Sequence, residues 1–392
     1  MPPLDAIRAY HDELTAIRWD IHAHPEIGFE EHRTSDIVAR ELEALGIEVH
    51  RNVGGTGVVG VLRRGNGQTA IGLRADMDAL PILEANDLPY RSQAKGRMHA
   101  CGHDGHTTML LGAARYLATE GSFNGTVNLI FQPAEEGLGG AQAMIADGLF
   151  QRFPCDFVFG MHNRPGLPVG QFATRPGAMM AGGGFFDITV TGRGAHGARP
   201  ESSVDPVLTA CHITTALQSI VARNLAPADT AVVSVTSVTG GDAYNVIPQT
   251  ALIRGTARAF KTDVLRQIEE AMKRIASGVA AGFGATAETD FRLLFAPTIN
   301  DPAQTRDILD AAAAVVDEAN VDPNGPMVMT SEDFSFMMEQ VPGAYINIGN
   351  GDTIGSTEVH HPEYNFNDEA IPYGSALFAT IVERKLPRGT AD

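Results

Sequence analysis

The chain alternates between helical and strand-like hydrophobic periods. Segments 4–20 and 30–45 have the spacing of amphipathic helices, and Gly46 ends the second. From residue 57 onward, short apolar runs alternate with helical segments. The runs predict strands at 57–62, 69–74, 126–131 and 156–159, and the segments predict helices from the 99–106 stretch to about 120 and at 139–148. Such alternation is typical of an α/β fold, so we expect a mostly parallel sheet with helices on both faces.

The pattern changes after a run of glycines at 182–184. It then predicts strand, helix, strand, strand, helix and strand, at 185–191, 205–222, 230–239, 249–260, 264–282 and 286–291. This order is that of a ferredoxin-like α+β unit. We therefore predict an inserted domain at 184–294 within a catalytic domain made of 1–183 and 295–392. An outer strand of the insertion could pair with a second subunit, and a covered edge in a monomer is the alternative.

The α/β pattern resumes after about residue 295. It predicts a helix at 302–319, a second helix capped by Ser331, a strand at 344–348 and a last helix at 368–385. The segment between the last two elements contains two adjacent histidines, His360 and His361.

Charge and cysteine content narrow the class of protein. The 392 residues include 47 acidic and 29 basic ones, for a net charge of −18, which argues against nucleic acid or an anionic membrane as the main partner. No apolar run is long enough to span a bilayer, and the start of the chain has no secretory signal pattern. The 3 cysteines are far apart, so we expect a reducing, cytoplasmic location.

Polar residues follow several predicted strands directly. Asp76 and Asp78, Glu135 and Glu136, and His162 all come just after an apolar run. In open α/β sheets, ligands and active sites collect at the carboxyl ends of the strands. We therefore expect these five side chains to lie at one edge of the sheet.

The stretch 99–106, HACGHDGH, has the donors of a metal site. It offers three imidazoles, a thiol and a carboxylate, a mixture that suits borderline-soft divalent metals. A helix start with surface histidines is the alternative. The candidate ligands are too many for one ion and suit two; they are Cys101, His103, Glu135 or Glu136, His162, and His360 or His361. One of the two adjacent glutamates can bind metal while the other acts as a base, although a solvated acidic turn is the simpler interpretation.

Motifs along nearly the whole chain resemble one family. They are HPEIGFEE at 24–31, LRADMDALP at 73–81, HACGHDGH at 99–106, FQPAEEG at 131–137, GMH at 160–162, GAH at 194–196, NVIP at 245–248, GTAR at 255–258 and EDF at 332–334. In this order they resemble the amidohydrolase branch of the dinuclear-metal aminoacylase and carboxypeptidase family, which includes hippurate hydrolases and plant auxin–amino-acid conjugate hydrolases.

The resemblance implies a role for each matching residue. It implies two divalent ions, zinc or manganese with cobalt and nickel also open, and these ligands: Cys101, His103, Glu136, His162 and His360. It implies Glu135 as the general base and Asp78 as the residue that steadies a ligand. The family usually has a non-ligand residue between the ligating histidine and a proline. His361 stands at that position before Pro362, so His360 is the expected ligand and His361 the alternative.

For the insertion, the resemblance implies a lid and dimerisation domain. His196 resembles the residue that reaches a partner subunit's active site and stabilises the oxyanion. Asn245 and Arg258 resemble residues near the substrate carbonyl and carboxylate. Many relatives have a second histidine in this domain, directly after a proline. Here Glu201 stands at that position, so this chain has no counterpart to that histidine.

The expected function is metal-dependent hydrolysis of the amide bond of N-acyl amino acids. The substrate would be a small molecule such as hippurate or an N-acetylated residue, and the enzyme a homodimer or higher homo-oligomer. A dipeptidase or an N-acetyl-diaminopimelate deacetylase with the same site is the alternative enzyme. A non-catalytic metal-binding or interaction protein is the alternative outside enzymes, and the intact set of base and ligands argues against it.

Overall fold

The computed structural model describes residues 2–353 and 355–388. It divides into two compact units. The first comprises 1–179, 299–326 and 333–392, and the second comprises 180–298 and 327–332. The second unit thus takes in residues that the predicted insertion of 184–294 leaves outside, among them the segment 327–332.

The helices in chain order are α1 (Pro3–Arg8), α2 (His11–Ala23), α3 (His32–Ala44), α4 (His103–Thr119), α5 (Gly140–Ala146), α6 (Leu149–Arg152), α7 (Pro206–Leu217), α8 (Thr262–Gly282), α9 (Pro302–Val316), α10 (Ser335–Gln340) and α11 (Ile371–Lys385). Short 3₁₀ turns lie at Pro200–Ser202, Glu318–Asn320 and Asp368–Ala370, and a π-helical turn at Ile220–Asn224.

The strands are β1 (Glu48–Val53), β2 (Gly57–Arg64), β3 (Ala70–Asp76), β4 (Gly125–Gln132), β5 (Phe157–Pro165), β6 (Phe172–Ala173), β7 (Gly177–Met180), β8 (Gly182–Thr191), β9 (Ala195–His196), β10 (Ala231–Thr239), β11 (Val246–Ile247), β12 (Thr250–Ala259), β13 (Thr286–Phe295), β14 (Thr298–Asn300), β15 (Val321–Asp322) and β16 (Gly343–Gly351).

The large sheet of the first unit has a parallel centre. Its order is β1-β2-β4-β3-β5-β16-β6-β15, and the neighbours β4, β3, β5 and β16 run parallel to one another. The strands β1 and β2 are antiparallel additions at one end. Every residue of β3 is buried, as expected for a strand covered on both faces. Helix α4 packs against α2, α11 and β3. The predicted mostly parallel α/β architecture is confirmed.

The second unit has the predicted order of elements. Its sheet order is β10-β12-β8-β13 with antiparallel neighbours, and the chain runs β8-α7-β10-β12-α8-β13. Alternate residues of β8, Phe186, Ile188 and Val190, are fully buried in its core with residues of α7 and α8. A period of two along β8 therefore separates a core face from a more exposed one.

Two predicted helices are wrong in detail. The segment 4–20 is divided into α1 and α2 at Ala9 and Tyr10, because Tyr10 is buried and its hydroxyl donates to the carbonyl of Gly112. Ser331 does not cap a helix, since α10 begins at Ser335 and its start has no side-chain cap. The Ser331 hydroxyl instead accepts a hydrogen bond from Arg258, at 2.5 Å.

Two glycines, one in α4 and one in α8, provide a test of helix packing. A Cβ on Gly105 of α4 would lie 2.3 Å from the ring of Phe366, whereas a Cβ on Gly278 of α8 would meet nothing within 4 Å. We expect Gly105→Ala to destabilise the protein by about 1–3 kcal/mol through overpacking. Gly278→Ala should instead stabilise its helix by up to about 1 kcal/mol. Denaturant unfolding of both variants would measure this, and equal effects would contradict it.

Candidate metal centre

Neighbouring strands bring the predicted side chains together. The central strands β4, β3 and β5 are adjacent in the sheet, with β3 ending at Asp76 and β4 at Gln132, shortly before Glu135. The fifth strand is longer than predicted and runs to Pro165, so His162 lies within it. Helix α4 begins at His103, with Gly102 as its N-cap in a left-handed conformation at φ +93°. Strand ends and a helix start therefore meet in one place.

Five groups of possible donor atoms lie within 4.8 Å of one another, and three of them together contain the predicted ligands. These three are Cys101, His103 and His162; Cys101, Glu136 and His360; and His103, Glu135 and Glu136. Cys101 Sγ lies 3.4 Å from His162 Nε2, and His360 Nε2 lies 3.1 Å from Glu136 Oε1. Overlapping groups of this kind can hold one ion or two adjacent ions.

Two buried atoms of this cluster lack a regular hydrogen bond. Nε2 of His103 has no hydrogen-bond partner within 2–353 and 355–388, and Oε1 of Glu136 has only the ring nitrogen of His360 nearby, at 3.1 Å and without hydrogen-bond geometry. Buried polar groups nearly always have a partner, and leaving one unsatisfied costs about 1–3 kcal/mol. A cation bound between these atoms would satisfy both, so the donor set fits a metal ion.

The charges around the cluster shift the pKa values of its members. Burial disfavours the charged form of His103, but Asp76 and Asp78 outweigh it and raise its pKa to about 10. Burial and the carboxylate of Glu136 raise the pKa of the Cys101 thiol well above its usual range. Burial, together with neighbouring imidazoles, lowers the pKa of His162 to about 3. The carboxylates thus make this a place of concentrated negative charge that favours cations.

Asp78 links two of the predicted ligands. Its Oδ1 lies 3.2 Å from His103 Nδ1, and its Oδ2 accepts a hydrogen bond from the backbone N–H of Glu136 at 3.0 Å. With Nδ1 engaged, His103 directs Nε2 towards the other donors, which is the usual effect of a carboxylate behind a ligating histidine.

His106 and Asn163 hold the other side of the cluster. Both nitrogens of His106 are engaged, Nδ1 with Asp76 Oδ1 at 2.6 Å and Nε2 with the backbone N–H of Asn163 at 3.0 Å. Asn163 also donates to the carbonyl of Cys101 at 2.6 Å and accepts from the Tyr364 hydroxyl at 2.8 Å. His106 therefore has no nitrogen left for a metal.

Asn163 and Tyr364 were not among the predicted site residues. Nδ1 of His162 donates to the carbonyl of Asn163 at 2.6 Å, which leaves Nε2 facing Cys101. The only sequence signal for Asn163 was its place directly after His162, and Tyr364 had none. Both are buried, and together they fix the backbone at Cys101 and the ring of His162.

The remaining charged residue of the 99–106 stretch points away from the cluster. Asp104 Oδ2 bonds to Arg18 at 3.1 Å and to His22 Nδ1 at 2.8 Å, and all three side chains are fully buried. Burial alone would raise the pKa of Asp104, but His22 and Arg18 hold it well below its usual range. Asp104 does not cap α4, because the start of this helix has no side-chain cap.

The adjacent histidines near the C-terminus behave differently. The backbone N–H of His360 donates to the carbonyl of Ala100 at 2.7 Å, and its ring reaches Glu136. His361 is exposed, and its Nδ1 accepts from the backbone N–H of Glu363 at 3.1 Å. The structure thus brings His360 into the donor cluster, and His361 makes a local turn.

The predicted residues of the insertion lie in the second unit. His196 and Asn245 are exposed neighbours there, since β9 pairs with β11 and Gly197 N–H donates to the Asn245 carbonyl at 2.7 Å. Arg258 lies on β12, half-buried, with its guanidinium over the ring of Phe295. Within this unit His196 and Asn245 are therefore together, and Arg258 occupies a separate strand.

A thiol, imidazoles and carboxylates lie together beside the central strands of the mixed sheet, and this donor set fits divalent metal ions. The chain belongs to the peptidase family M20/M25/M40, whose family model matches residues 72–384. The resemblance found in the motifs is thereby confirmed.

Similar proteins span almost the whole chain. Hippurate hydrolase of Campylobacter jejuni is 43% identical over 95% of this chain and 97% of its own length. IAA-amino acid hydrolase ILR1-like 4 of Arabidopsis thaliana is 39% identical over 96% of this chain and 86% of its own. The crystal structure of the Bacillus subtilis YXEP protein, a dinuclear metal-binding peptidase from the M20 family, is 35% identical with a TM-score of 0.84, over 97% of this chain and 99% of its own.

No helix in the described part of the chain has the length and apolar character needed to cross a membrane. This agrees with the absence of long apolar runs in the sequence.

The ion pair behind the cluster provides a stability test. We expect Asp104→Ala to lower the free energy of unfolding by about 1–3 kcal/mol, because Arg18 and His22 lose a buried partner while Asp368 still pairs with Arg18. Glu13→Ala, which removes the exposed partner of Arg115, is the matched control and should change stability little. Denaturant unfolding measures both, and a similar small loss in the two variants would refute the importance of the buried pair.

Proposed function

We propose that this enzyme hydrolyses the amide bond of N-acyl amino acids, with hippurate as the model substrate, to a carboxylic acid and a free amino acid. The observation that supports this most is the cluster of donor atoms, in which the buried Nε2 of His103 has no hydrogen-bond partner in the described chain and Glu135 directly precedes the donor Glu136. The similar proteins from Campylobacter and Arabidopsis, named for hydrolysis of hippurate and of IAA–amino acid conjugates, support the same bond type.

We propose that the site holds two divalent ions. The proposed ligands are Cys101, His103, Glu136, His162 and His360. A thiolate favours zinc, and manganese, cobalt and nickel are also compatible with the nitrogen and oxygen donors. When bound, the ions polarise the substrate carbonyl and lower the pKa of water.

In this proposal Glu135 is the general base. Its side chain is buried at 7% exposure, and its Oε1 accepts a hydrogen bond from the backbone N–H of Asp333 at 3.3 Å. That bond holds the carboxylate in place, and in this proposal the carboxylate takes the proton of the attacking water. Glu135 then delivers this proton to the nitrogen of the leaving amine as the amide bond breaks.

Residues of the second unit are assigned to substrate recognition. We infer that His196 donates to the oxyanion from a partner subunit, in a homodimer or a higher homo-oligomer. Asn245 would bind near the carbonyl, and Arg258 would bind the carboxylate through its two-pronged guanidinium. Support for the Arg258 role is its half-buried position on β12 and the hydrogen bond that its guanidinium donates to the Ser331 hydroxyl.

We also place the enzyme in the cytoplasm. Cys101, Cys155 and Cys211 are all free, and cysteines without disulfides are typical of a reducing compartment.

Hydrolysis assays with the metal-reconstituted protein test the function. We expect glycine release from benzoylglycine, and slower or no release from aminoacylglycine. Glu135→Ala should lower kcat by about 10²–10⁴, the usual contribution of general acid–base catalysis, with metal content near that of the wild type. Glu136→Ala is the comparison, since it should lose metal as well as activity. Inactivity of the wild type on benzoyl-, acetyl- and aminoacylglycine would refute the proposed reaction.

Metal affinity should rise with pH. In the metal-free protein the pKa of His103 is raised to about 10, so at neutral pH an incoming ion must displace its proton. Each displaced proton increases affinity about tenfold per pH unit below that pKa. Calorimetry between pH 6 and 9, in buffers of different ionisation enthalpy, measures both the affinity and the protons released. An affinity independent of pH would show that His103 is not a ligand.

A further inference from the structure

The motif HPEIGFEE at 24–31 has a role beyond starting a helix. Glu31 is the N-cap residue of α3, yet its side chain makes no capping bond. The capping is done by Glu26, whose carboxylate accepts hydrogen bonds from the backbone N–H groups of Arg33 and Thr34 at 3.0 and 2.9 Å. Glu31 is therefore free to reach elsewhere.

The Glu31 carboxylate reaches the loop that carries the two adjacent glutamates. Its Oε1 accepts a hydrogen bond from the backbone N–H of Ala134 at 2.8 Å, and its Oε2 accepts one from the Thr56 hydroxyl at 2.5 Å. All three residues are buried, with Glu31 and Ala134 fully so. Burial raises the pKa of Glu31 to about 7, and both its neutral and its ionised form can accept from Ala134.

Ala134 is held in an unfavourable backbone conformation. Its φ is +54°, in the left-handed region that non-glycine residues rarely adopt. The absence of a Cβ at Gly28 makes room, because a Cβ there would lie 2.9 Å from Cβ of Ala134. The Ala134 carbonyl accepts from the N–H of Gly140 at 3.0 Å. Such a conformation persists only when its surroundings hold it, and it commonly marks a functional loop.

The two glutamates that follow are fixed by different carboxylates. Glu31 holds the N–H of Ala134, directly before Glu135, whereas Asp78 holds the N–H of Glu136 at 3.0 Å. Loss of the Glu31 bond would release the backbone leading into Glu135 and leave the bond at Glu136 in place. A change at Glu31 should therefore affect the proposed base more than the proposed metal ligand.

We propose that Glu31 is a positioning residue for Glu135, which it holds at the reacting water by fixing the left-handed backbone of Ala134. This rests on the proposed function of Glu135 as general base. Glu31 itself contacts the loop and does not take part in proton transfer. Displacement of a reacting group by about 1 Å can cost about 10²-fold in rate.

Three substitutions at Glu31 distinguish the effect of its oxygen position from the effect of its charge. Glu31→Gln keeps the length and an oxygen for the Ala134 N–H, and its amide N–H₂ can donate to Thr56. Glu31→Asp keeps the charge but is one methylene too short, and Glu31→Ala removes the acceptor. We expect kcat to fall about 10²-fold in the Asp and Ala variants, with KM and bound metal near wild type. The Gln variant should stay within about threefold of wild type, because the acceptor is retained.

Hydrogen exchange at the Ala134 amide gives a readout that needs no substrate. We expect exchange in the peptide covering 133–136 to accelerate at least about tenfold in the Asp and Ala variants and to stay slow in the Gln variant. Glu30→Ala is the matched control, because Glu30 is the exposed neighbour that pairs with Arg97, and it should change neither exchange nor kcat. If Glu31→Ala does not fold, the Gln and Asp variants still decide.

The outcomes are distinct. Unchanged exchange and kcat in the Asp variant would overturn the proposal, and so would a Gln variant as slow in turnover as the Asp variant. Altered exchange in a protein whose wild type hydrolyses no substrate would support the loop contact and refute the proposed function instead. An active wild type whose exchange does not respond to Glu31 would refute the positioning role alone.

Discussion

Four carboxylates at the ends of the central strands concentrate negative charge that the surrounding structure must balance. Asp76, Asp78 and Glu135 are buried, and Glu136 lies beside them. Buried charges are stable only when they are paired and hydrogen-bonded. Arg74 balances part of this charge, since its buried guanidinium donates to Asp76 at 2.7 Å. The rest falls on protonated imidazole, backbone N–H groups and the proposed cations. The fold thus provides the site by packing adjacent parallel strands, of which β3 and β4 lead into acids and β5 carries a histidine.

The sequence could predict that the site residues lie close together, because apolar runs indicate where the strands end. Apolar runs that stop at an acid or a histidine place Asp76, Glu136 and His162 at one edge, and the thiol at Cys101 indicates a metal. The supporting bonds were not predictable. Glu31 and Asn163 bond to backbone groups far along the chain, and neither residue type nor spacing specifies such partners. Hydrophobic periodicity reports which face is buried, and it carries no information on which polar atoms meet there.

The incorrect predictions have related physical causes. The apolar spacing of 4–20 continues across the break between α1 and α2, where Tyr10 is buried and its hydroxyl donates to the carbonyl of Gly112. The strand β1 was missed because its residues are mostly charged or partly exposed, and pairing with β2 rather than intrinsic propensity makes it a strand. Ser331 looked like an N-cap, yet its hydroxyl serves Arg258 instead. In each case a long-range contact decided the local structure.

The C-terminal segment completes the sheet and the donor cluster last. Strand β16 lies between β5 and β6, and the backbone of His360 bonds to that of Ala100. A ribosome adds roughly 5–20 residues per second, so Cys101, His103 and His162 leave it well before these pieces exist. In that interval the sheet has a gap beside β5, and the thiol is not yet enclosed by its final neighbours. Loading of metal into the proposed site with His360 would therefore be a late event in biosynthesis, after synthesis of the segment that carries β16 and His360.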